Sequence, residues 1–334
     1  MIKLKNSKIF VLGMARSGYE VSKYLSQYNN EIIVTDAKEQ ESDKVKELEN
    51  LGVKVTITEK PEELLDNTYD VVIKNPGIKY TNPLIVKANN LNIPVINEVE
   101  AASYFFPKGL QVIGVTGSNG KTTTTNLINE MLKAAAKKVI MAGNMGIPVC
   151  SILNDLTSDT ILLLEISIQQ LCNMEHFKTD VSILTNLTPT HIDFLDTYEN
   201  YKNTKKRIFN NHTSDDLAIL NLNNEDEMEL TKDIKSHKIY FSSTKDTDIC
   251  ITDGYITYFG EKIIKLDNIK LQGTHNYENV CCAIGAVKRY DIDNASIIKV
   301  LESFGGVEHR LEYVRTLNNV EYYNDSKATN TVST

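Results

Sequence analysis

The chain has 334 residues, with 36 lysines and arginines against 44 aspartates and glutamates, 41% hydrophobic residues and 24% charged ones. That apolar fraction is ample for buried cores and excludes wholesale disorder, and at about 100–200 residues per domain the length predicts roughly two domains. The formal net charge of −8 argues against a nucleic-acid partner, because sequence-independent binding needs a basic face that displaces counterions.

In chain order, KIFVLG (Lys8 to Gly13) reads as a buried strand and the stretch after Gly18 as a helix. EIIVTD (Glu31 to Asp36), DVVIKNPG (Asp70 to Gly77) and IPVIN (Ile93 to Asn97) read as further strands. Strands alternating with helices predict crossover units and a parallel sheet. FPKG (Phe106 to Gly109) interrupts both periodicities and marks a boundary. A second α/β unit opens at Gln111: QVIGVTG is a strand, SNGKTTTTNLINEMLK a glycine turn feeding a helix, and KKVIMAG, TILLLEIS, VSILTNL and LAILN are strands. ITDGYITYFG (Ile251 to Gly260) carries an Asp-Gly turn between alternating residues, which predicts a hairpin. His275 to Tyr290 reads as a helix, and the tail as two strands around Asn318-Asn319. A chain that stops just after a new hairpin reads as one lacking a following domain, since a lone two-stranded hairpin is marginal in water.

No run of about 18 apolar residues occurs, so no membrane partner is expected. The N-terminal apolar run passes straight into a glycine turn, without the features of a secretory signal. The five cysteines (Cys150, Cys172, Cys250, Cys281, Cys282) are scattered and lack metal-type pairing. A reduced, cytoplasmic protein is expected.

The strongest local signal is GVTGSNGKTT, Gly114 to Thr123, set between a buried strand and a helix. Gly117 and Gly120 allow close backbone approach to phosphate oxygens. Backbone N–H groups of Ser118, Asn119 and the helix start stabilise the anion. Lys121 is placed to reach the β/γ-phosphates, and Thr122, with Thr123 beside it, to offer a hydroxyl to Mg²⁺. GxxxxGK[ST] is not matched strictly, because Val115 stands six residues before Lys121.

That departure is informative, since GxTGxNGKTT resembles the ATP loop of the Mur ligase superfamily. The resemblance continues in order along the chain. EISIQQL is similar to the family's E-x-S-S-F-Q-L, which implies Glu165 as a metal ligand with Ser167 and Gln170 near substrate; Ile168 and Gln169 depart from it. NLTPTHIDF resembles N-x-T-x-D-H-x-D, with Thr190 in place of the acid, and implies His191 as a ligand. YKNTKKRI resembles the segment with a carbamylated lysine, here Lys205. GTHNYEN implies Asn279 on the adenine side of ATP, and FGGVEHRLE implies Arg310 as a nucleotide contact. NDSKATN resembles the D-glutamate-adding branch, implying Asp325 as an ATP contact and Lys327 and Thr329 in the catalytic site.

The N-terminal part agrees. GMARSG offers Arg16 and Ser17 to a diphosphate, and Asp36 ends a strand where an acid can hold a ribose or uridine hydroxyl. It lacks the dinucleotide fingerprint G-x-G-x-x-G. Asn75-Pro76-Gly77 resembles the family's S-P-G turn, and Gly143-Asn144-Met145-Gly146 its G-N-x-G, which implies Asn144 as a contact to a UDP-sugar.

The fold expected from this is α/β. A Rossmann-like UDP-sugar-binding domain spans 1–107, and a central P-loop ATPase-type domain with a parallel sheet and small antiparallel hairpin region spans 108–310. Residues 311–334 form only the first hairpin of a third domain. The implied reaction is an ATP- and Mg²⁺-dependent ligation of D-glutamate to UDP-N-acetylmuramoyl-L-alanine through an acyl phosphate, by a monomer. One Mg²⁺ would lie on Thr122 and Glu165, a second on His191 and carbamylated Lys205. This chain alone is expected to ligate poorly. Two other readings stay open: a non-catalytic UDP-sugar-binding fragment and another P-loop phosphoryl-transfer enzyme.

Overall fold

A computed structural model of the chain describes residues 2–189, 192–309, 312–318 and 320–327. It packs as two compact units. The first comprises residues 1–110 together with 142–158 and 166–178, and the second comprises 111–141, 159–165 and 179–334.

The first unit is built on β1 (Lys8–Leu12), β2 (Glu31–Asp36), β3 (Lys54–Ile57), β4 (Val71–Lys74) and β5 (Val95–Ile96). They lie in the order β3-β2-β1-β4-β5, all pairs parallel. The chain therefore works outward from β1 to β3, then returns to the other side of β1. The crevice at that reversal, at the carboxyl ends of β1 and β4, is where open α/β sheets take ligands. Helices α1 (Arg16–Leu25), α2 (Ser42–Asn50), α3 (Pro83–Asn90) and α4 (Glu98–Ser103) belong to this unit. Phe10, Leu12, Val72, Leu84 and Ile85 form part of one buried cluster, in which strand faces meet the apolar stripe of α3.

Among the described residues, the sheet of the second unit runs β14-β13-β12-β11-β10-β9-β6-β8-β7. In chain order these are β6 (Gln111–Thr116), β7 (Val139–Gly143), β8 (Ile161–Glu165), β9 (Val181–Leu184), β10 (Leu217–Asn221), β11 (His237–Ser242), β12 (Ile249–Thr252), β13 (Tyr255–Tyr258) and β14 (Glu261–Lys265). From β8 through β6, β9 and β10 to β12 the pairing is parallel, and β12-β13-β14 is an antiparallel meander. The hairpin expected at Asp253-Gly254 is the β12–β13 turn, with both residues at positive φ. Helices of this unit are α5 (Lys121–Ala134), α7 (Ile192–Leu195), α8 (Tyr198–Lys206), α9 (Glu225–Leu230), α10 (Thr274–Lys288) and α11 (Asn294–Ser303); α6 (Ile168–Leu171) lies in the first unit. α10 is buried through Val280–Val287. Its Gly285 lets it sit close on the sheet, since a Cβ there would stand 2.7 Å from Ile249 Cδ1.

The tail forms β15 (Glu312–Leu317) and β16 (Val320–Asn324), an antiparallel pair. The fold is thus α/β with parallel sheets and a small antiparallel hairpin. All five cysteines are free and buried. Among the described residues, no helix is long and apolar enough to cross a membrane.

Candidate functional site

In the second unit, β6 is the strand from which the chain runs first one way to β7 and β8, then the other way to β9. The loop Gly117–Gly120 leaves its carboxyl end and feeds α5. Gly117 has φ +147° and Gly120 φ +80°. A Cβ at Gly117 would lie 1.9 Å from Thr185 Oγ1, and one at Gly120 would lie 2.2 Å from Asn279 Oδ1. The glycines are therefore required by how the loop packs, as well as by any approach of phosphate.

The segment after β9 clamps this loop. The Ser118 N–H donates to the Asn186 carbonyl at 3.0 Å and the Asn119 N–H to Asn186 Oδ1 at 2.9 Å. Thr185 Oγ1 donates to the Asn119 carbonyl at 2.5 Å. Ser118 Oγ donates to the Thr188 carbonyl at 3.0 Å and accepts the Thr188 N–H at 2.9 Å. With its proton so used, Ser118 Oγ is the acceptor for the hydroxyl of Tyr201, 2.7 Å away.

Helix α5 has no side-chain cap among the described residues, and Asn119 through Thr123 are half-buried. The first-turn N–H groups of a 14-residue helix are thus presented with the positive end of its dipole. Lys121 Nζ donates to the carbonyls of Gly117 at 2.8 Å and Ser118 at 2.9 Å, holding its ammonium at the loop. A local cation, a glycine cradle and the positive end of a helix dipole fit a nucleotide triphosphate.

Beside the loop, Thr122 Oγ1 donates to Glu165 Oε2 at 2.7 Å. Glu165 ends β8, in register with Val115 of β6, and is 3% exposed. A hydroxyl and a carboxylate, oxygen donors only, suit Mg²⁺. Among the described residues no group of three or more His, Cys, Asp or Glu is set to hold a metal. Such a sparse oxygen set fits an ion whose shell is completed by phosphates and water.

Helix α8 sends two side chains to the loop one turn apart, Tyr201 and Lys205. Lys205 is 1% exposed, and its Nζ donates to Thr116 Oγ1 at 2.8 Å and to the Gly117 carbonyl at 3.0 Å. An unmodified ammonium has donors only and cannot ligate a cation, so a metal role for Lys205 requires carbamylation. Asn279 Oδ1 accepts from Thr124 Oγ1 at 3.3 Å, which braces α10 against α5. Sequence reasoning missed Tyr201, Thr185 and Asn186. The signal for Tyr201 was its place four residues before Lys205, on one helix face.

The tail brings two motifs together. Asn324 Nδ2 lies 2.8 Å from His309 Nδ1, and the Lys327 N–H donates to the His309 carbonyl at 3.1 Å. Lys327 Nζ reaches the Glu308 carbonyl at 3.4 Å, and Asp325 is half-buried. His191, Arg310 and Thr329 lie outside the described residues.

In the first unit, the GMARSG turn follows β1. Asp36 accepts from the Met14 N–H at 2.8 Å and from the Lys38 N–H at 3.1 Å, so its carboxylate shapes the turn. Gly18 is forced, since a Cβ there would stand 1.8 Å from the Gly13 carbonyl oxygen. Asn75 packs on this turn, with Nδ2 2.5 Å from where a Gly13 Cβ would be. Asn75 Oδ1 is buried and accepts no hydrogen bond among the described residues. Gly77 is exposed, as is Arg16, whose Nη1 lies 3.4 Å from the Gly146 carbonyl; Ser17 is half-buried. That contact joins the turn to Gly143–Gly146, where Asn144 is exposed. Ser167 and Gln170 instead satisfy each other in a capping box at the start of α6.

Comparison with known proteins bears on both units. Residues 115–287 match the Mur ligase middle domain, and residues 7–97 match the MurD-like N-terminal domain of Mur ligases. The chain is 40% identical over 330 residues to the UDP-N-acetylmuramoylalanine–D-glutamate ligase of Geobacillus sp. (strain WCH70), covering 98% of this chain and 73% of that protein. It is also 40% identical over 335 residues to the enzyme of that name from Bacillus cereus (strain G9842), covering 99% and 74%. Among solved structures, UDP-N-acetylmuramate-alanine ligase MurC from Thermotoga maritima aligns with TM-score 0.58 at 19% identity, covering 96% of this chain and 74% of that one. MurF from Acinetobacter baumannii aligns with TM-score 0.59 at 14% identity, covering 95% and 67%. These two share the fold. On the two matched domains and the near-complete alignment to the D-glutamate ligases, the chain belongs to the Mur ligase family.

Proposed function

We propose that the chain is the ATP-dependent ligase that joins D-glutamate to UDP-N-acetylmuramoyl-L-alanine in cytoplasmic peptidoglycan precursor synthesis, acting as a monomer. The observation that carries this reading is the glycine loop feeding α5, with Lys121 over the loop and the Thr122–Glu165 pair beside it. In this reading Gly117–Thr123 seat the phosphates of ATP, and Asn279, Arg310 and Asp325 serve the rest of the nucleotide. Bound Mg²⁺ would neutralise crowded phosphate charge, held by Thr122 and Glu165, with His191 and carbamylated Lys205 at a second position. Lys121 and the positive end of the α5 dipole stabilise charge developing on the transferred phosphoryl group, the Ser118 and Asn119 N–H groups expected to share that task being held by Asn186 instead. The L-alanyl carboxylate is activated as an acyl phosphate, turning a poor leaving group into a good one, and the amine of D-glutamate then displaces phosphate. Lys327 and Thr329 belong to that second step.

Arg16, Ser17, Asp36, Asn75, Gly77 and Asn144 form the UDP-sugar site, with Ser167 and Gln170 supporting it through the α6 cap. The proposed domains follow the chain, 1–107, 108–310 and 311–334, although 142–158 and 166–178 pack in the first unit. Since this chain alone is proposed to ligate poorly, the test is single-turnover phosphate release from ATP with the chain in excess. Release should require both UDP-N-acetylmuramoyl-L-alanine and D-glutamate and be abolished by Lys121→Ala. ATP hydrolysis indifferent to both acids overturns the reading.

A further inference from the structure

Lys74 ends β4 and is 1% exposed, yet its ammonium meets only neutral acceptors. Nζ donates to the carbonyls of Ile78 at 2.9 Å, Pro76 at 3.2 Å and Asn75 at 3.5 Å, and lies 5.6 Å from the ring centroid of Tyr80. The titratable groups facing it are the Cys172 thiol and the Tyr80 phenol, and among the described residues no carboxylate pairs with it. Burying a lone ammonium is costly, and an apolar side chain of similar length would fill the slot without that cost. The three carbonyl bonds brace the 75–78 turn, but that local role alone does not explain why the donor is a cation with no carboxylate beside it among the described residues.

Its position does. Lys74 is in register with Leu12, the last residue of β1, and the Asn75 N–H donates to the Leu12 carbonyl at 3.0 Å. The residue thus stands at the reversal of the sheet order, next to the GMARSG turn. There the start of α1 has no side-chain cap among the described residues, and Arg16 is exposed. We infer that Lys74 is a positioning residue for an anionic nucleotide ligand: it ties the Asn75–Ile78 turn through three carbonyls and lends the crevice a buried positive charge that favours a diphosphate. The inference rests on the reading of the first unit as the UDP-sugar site, and goes beyond it by assigning a residue that does not touch the ligand.

The test titrates the 334-residue chain with UDP and with uncharged uridine, read by ligand-observed NMR. Lys74→Met should weaken UDP about tenfold, the size of an unscreened charge interaction across a turn, and leave uridine within about twofold. Equal weakening of both ligands, or none, overturns the inference, because a purely structural prop would not distinguish them. If the wild-type chain binds neither ligand, the UDP-site reading fails first and this inference with it, a result distinct from binding that ignores Lys74. Should Lys74→Met not fold, the wild-type pH series decides. Burial lowers the Lys74 ammonium to about 8, so the ratio of UDP to uridine affinity should fall several-fold as pH rises through that value. A constant ratio overturns the inference.

Discussion

At the scale of single residues, the proposed metal site rests on a 2.7 Å hydrogen bond between Thr122 and Glu165. That the two would meet was legible in the sequence, because a hydroxyl after a loop lysine and an acid at the end of an apolar strand are chemistry-bearing types in fixed local contexts. Tyr201 was not legible, since an aromatic on a helix reads as core, and only the fold reveals its hydroxyl on Ser118. Asn279 was expected from the sequence to face the nucleotide, but its bond to Thr124 was not legible, because the two are far apart in sequence. Glu165→Gln keeps the acceptor for Thr122 but removes the charge that a divalent cation needs. ATP affinity in the presence of Mg²⁺ should fall at least about tenfold, while the thermal midpoint stays within a few degrees. Calorimetry with and without Mg²⁺ checks this. Unchanged Mg²⁺-dependent binding would remove Glu165 from the metal site.

At the scale of elements, the central strands were readable as apolar runs, whereas β3, β11 and β14 were not. β3 (KVTI) and β14 (EKIIK) lie at sheet edges, where half-exposed, lysine-bearing strands look like surface. Helix α4 was equally silent, being six residues long with acids at its first and third positions. In the fold those acids are buried docking points. Glu98 accepts the Cys150 N–H at 2.5 Å, and Glu100 accepts the N–H groups of Glu175, His176 and Phe177 at 2.7–3.1 Å. Burial raises Glu98 to about 7, against the lowering effect of its bonds from Cys150. A folded pKa above the unfolded one means that the folded state holds the extra proton. Stability on this account is full below the unfolded value of 4.5, and is lost as pH rises toward about 7. The loss is of the order of 3 kcal/mol. Glu98→Gln keeps an acceptor for Cys150 without the titration. Urea unfolding at pH 5 and at pH 7.5 should show the variant gaining on the wild type at the higher pH. A wild type that gains on the variant instead would mean that the carboxylate is stabilised in its charged form.

At the scale of the whole molecule, the sequence reads as consecutive blocks, but the first unit recruits segments 142–158 and 166–178 from the middle of the chain. Nothing in composition marks that return, because it is fixed by pairings such as Asn97 Nδ2 to the Gln170 carbonyl at 2.5 Å and Tyr80 to the Cys172 carbonyl at 3.0 Å. Each unit carries a glycine turn after its first strand, 13–18 in one and 117–120 in the other, and each is the proposed seat of one ligand. A ligand that binds the native state slows the local opening of the backbone it contacts. Hydrogen exchange should therefore report the two ligands separately. UDP-N-acetylmuramoyl-L-alanine should protect the amides of 13–18, Asn75 and Gly77, together with the Gly143–Gly146 turn that belongs to the same unit although it follows the phosphate loop in sequence. ATP with Mg²⁺ should protect 117–123, and the Asn186 and Thr188 amides that close on Ser118. The 143–146 turn makes this decisive: if the UDP-sugar leaves it unprotected while protecting 13–18, the assignment of Asn144 to the sugar nucleotide falls.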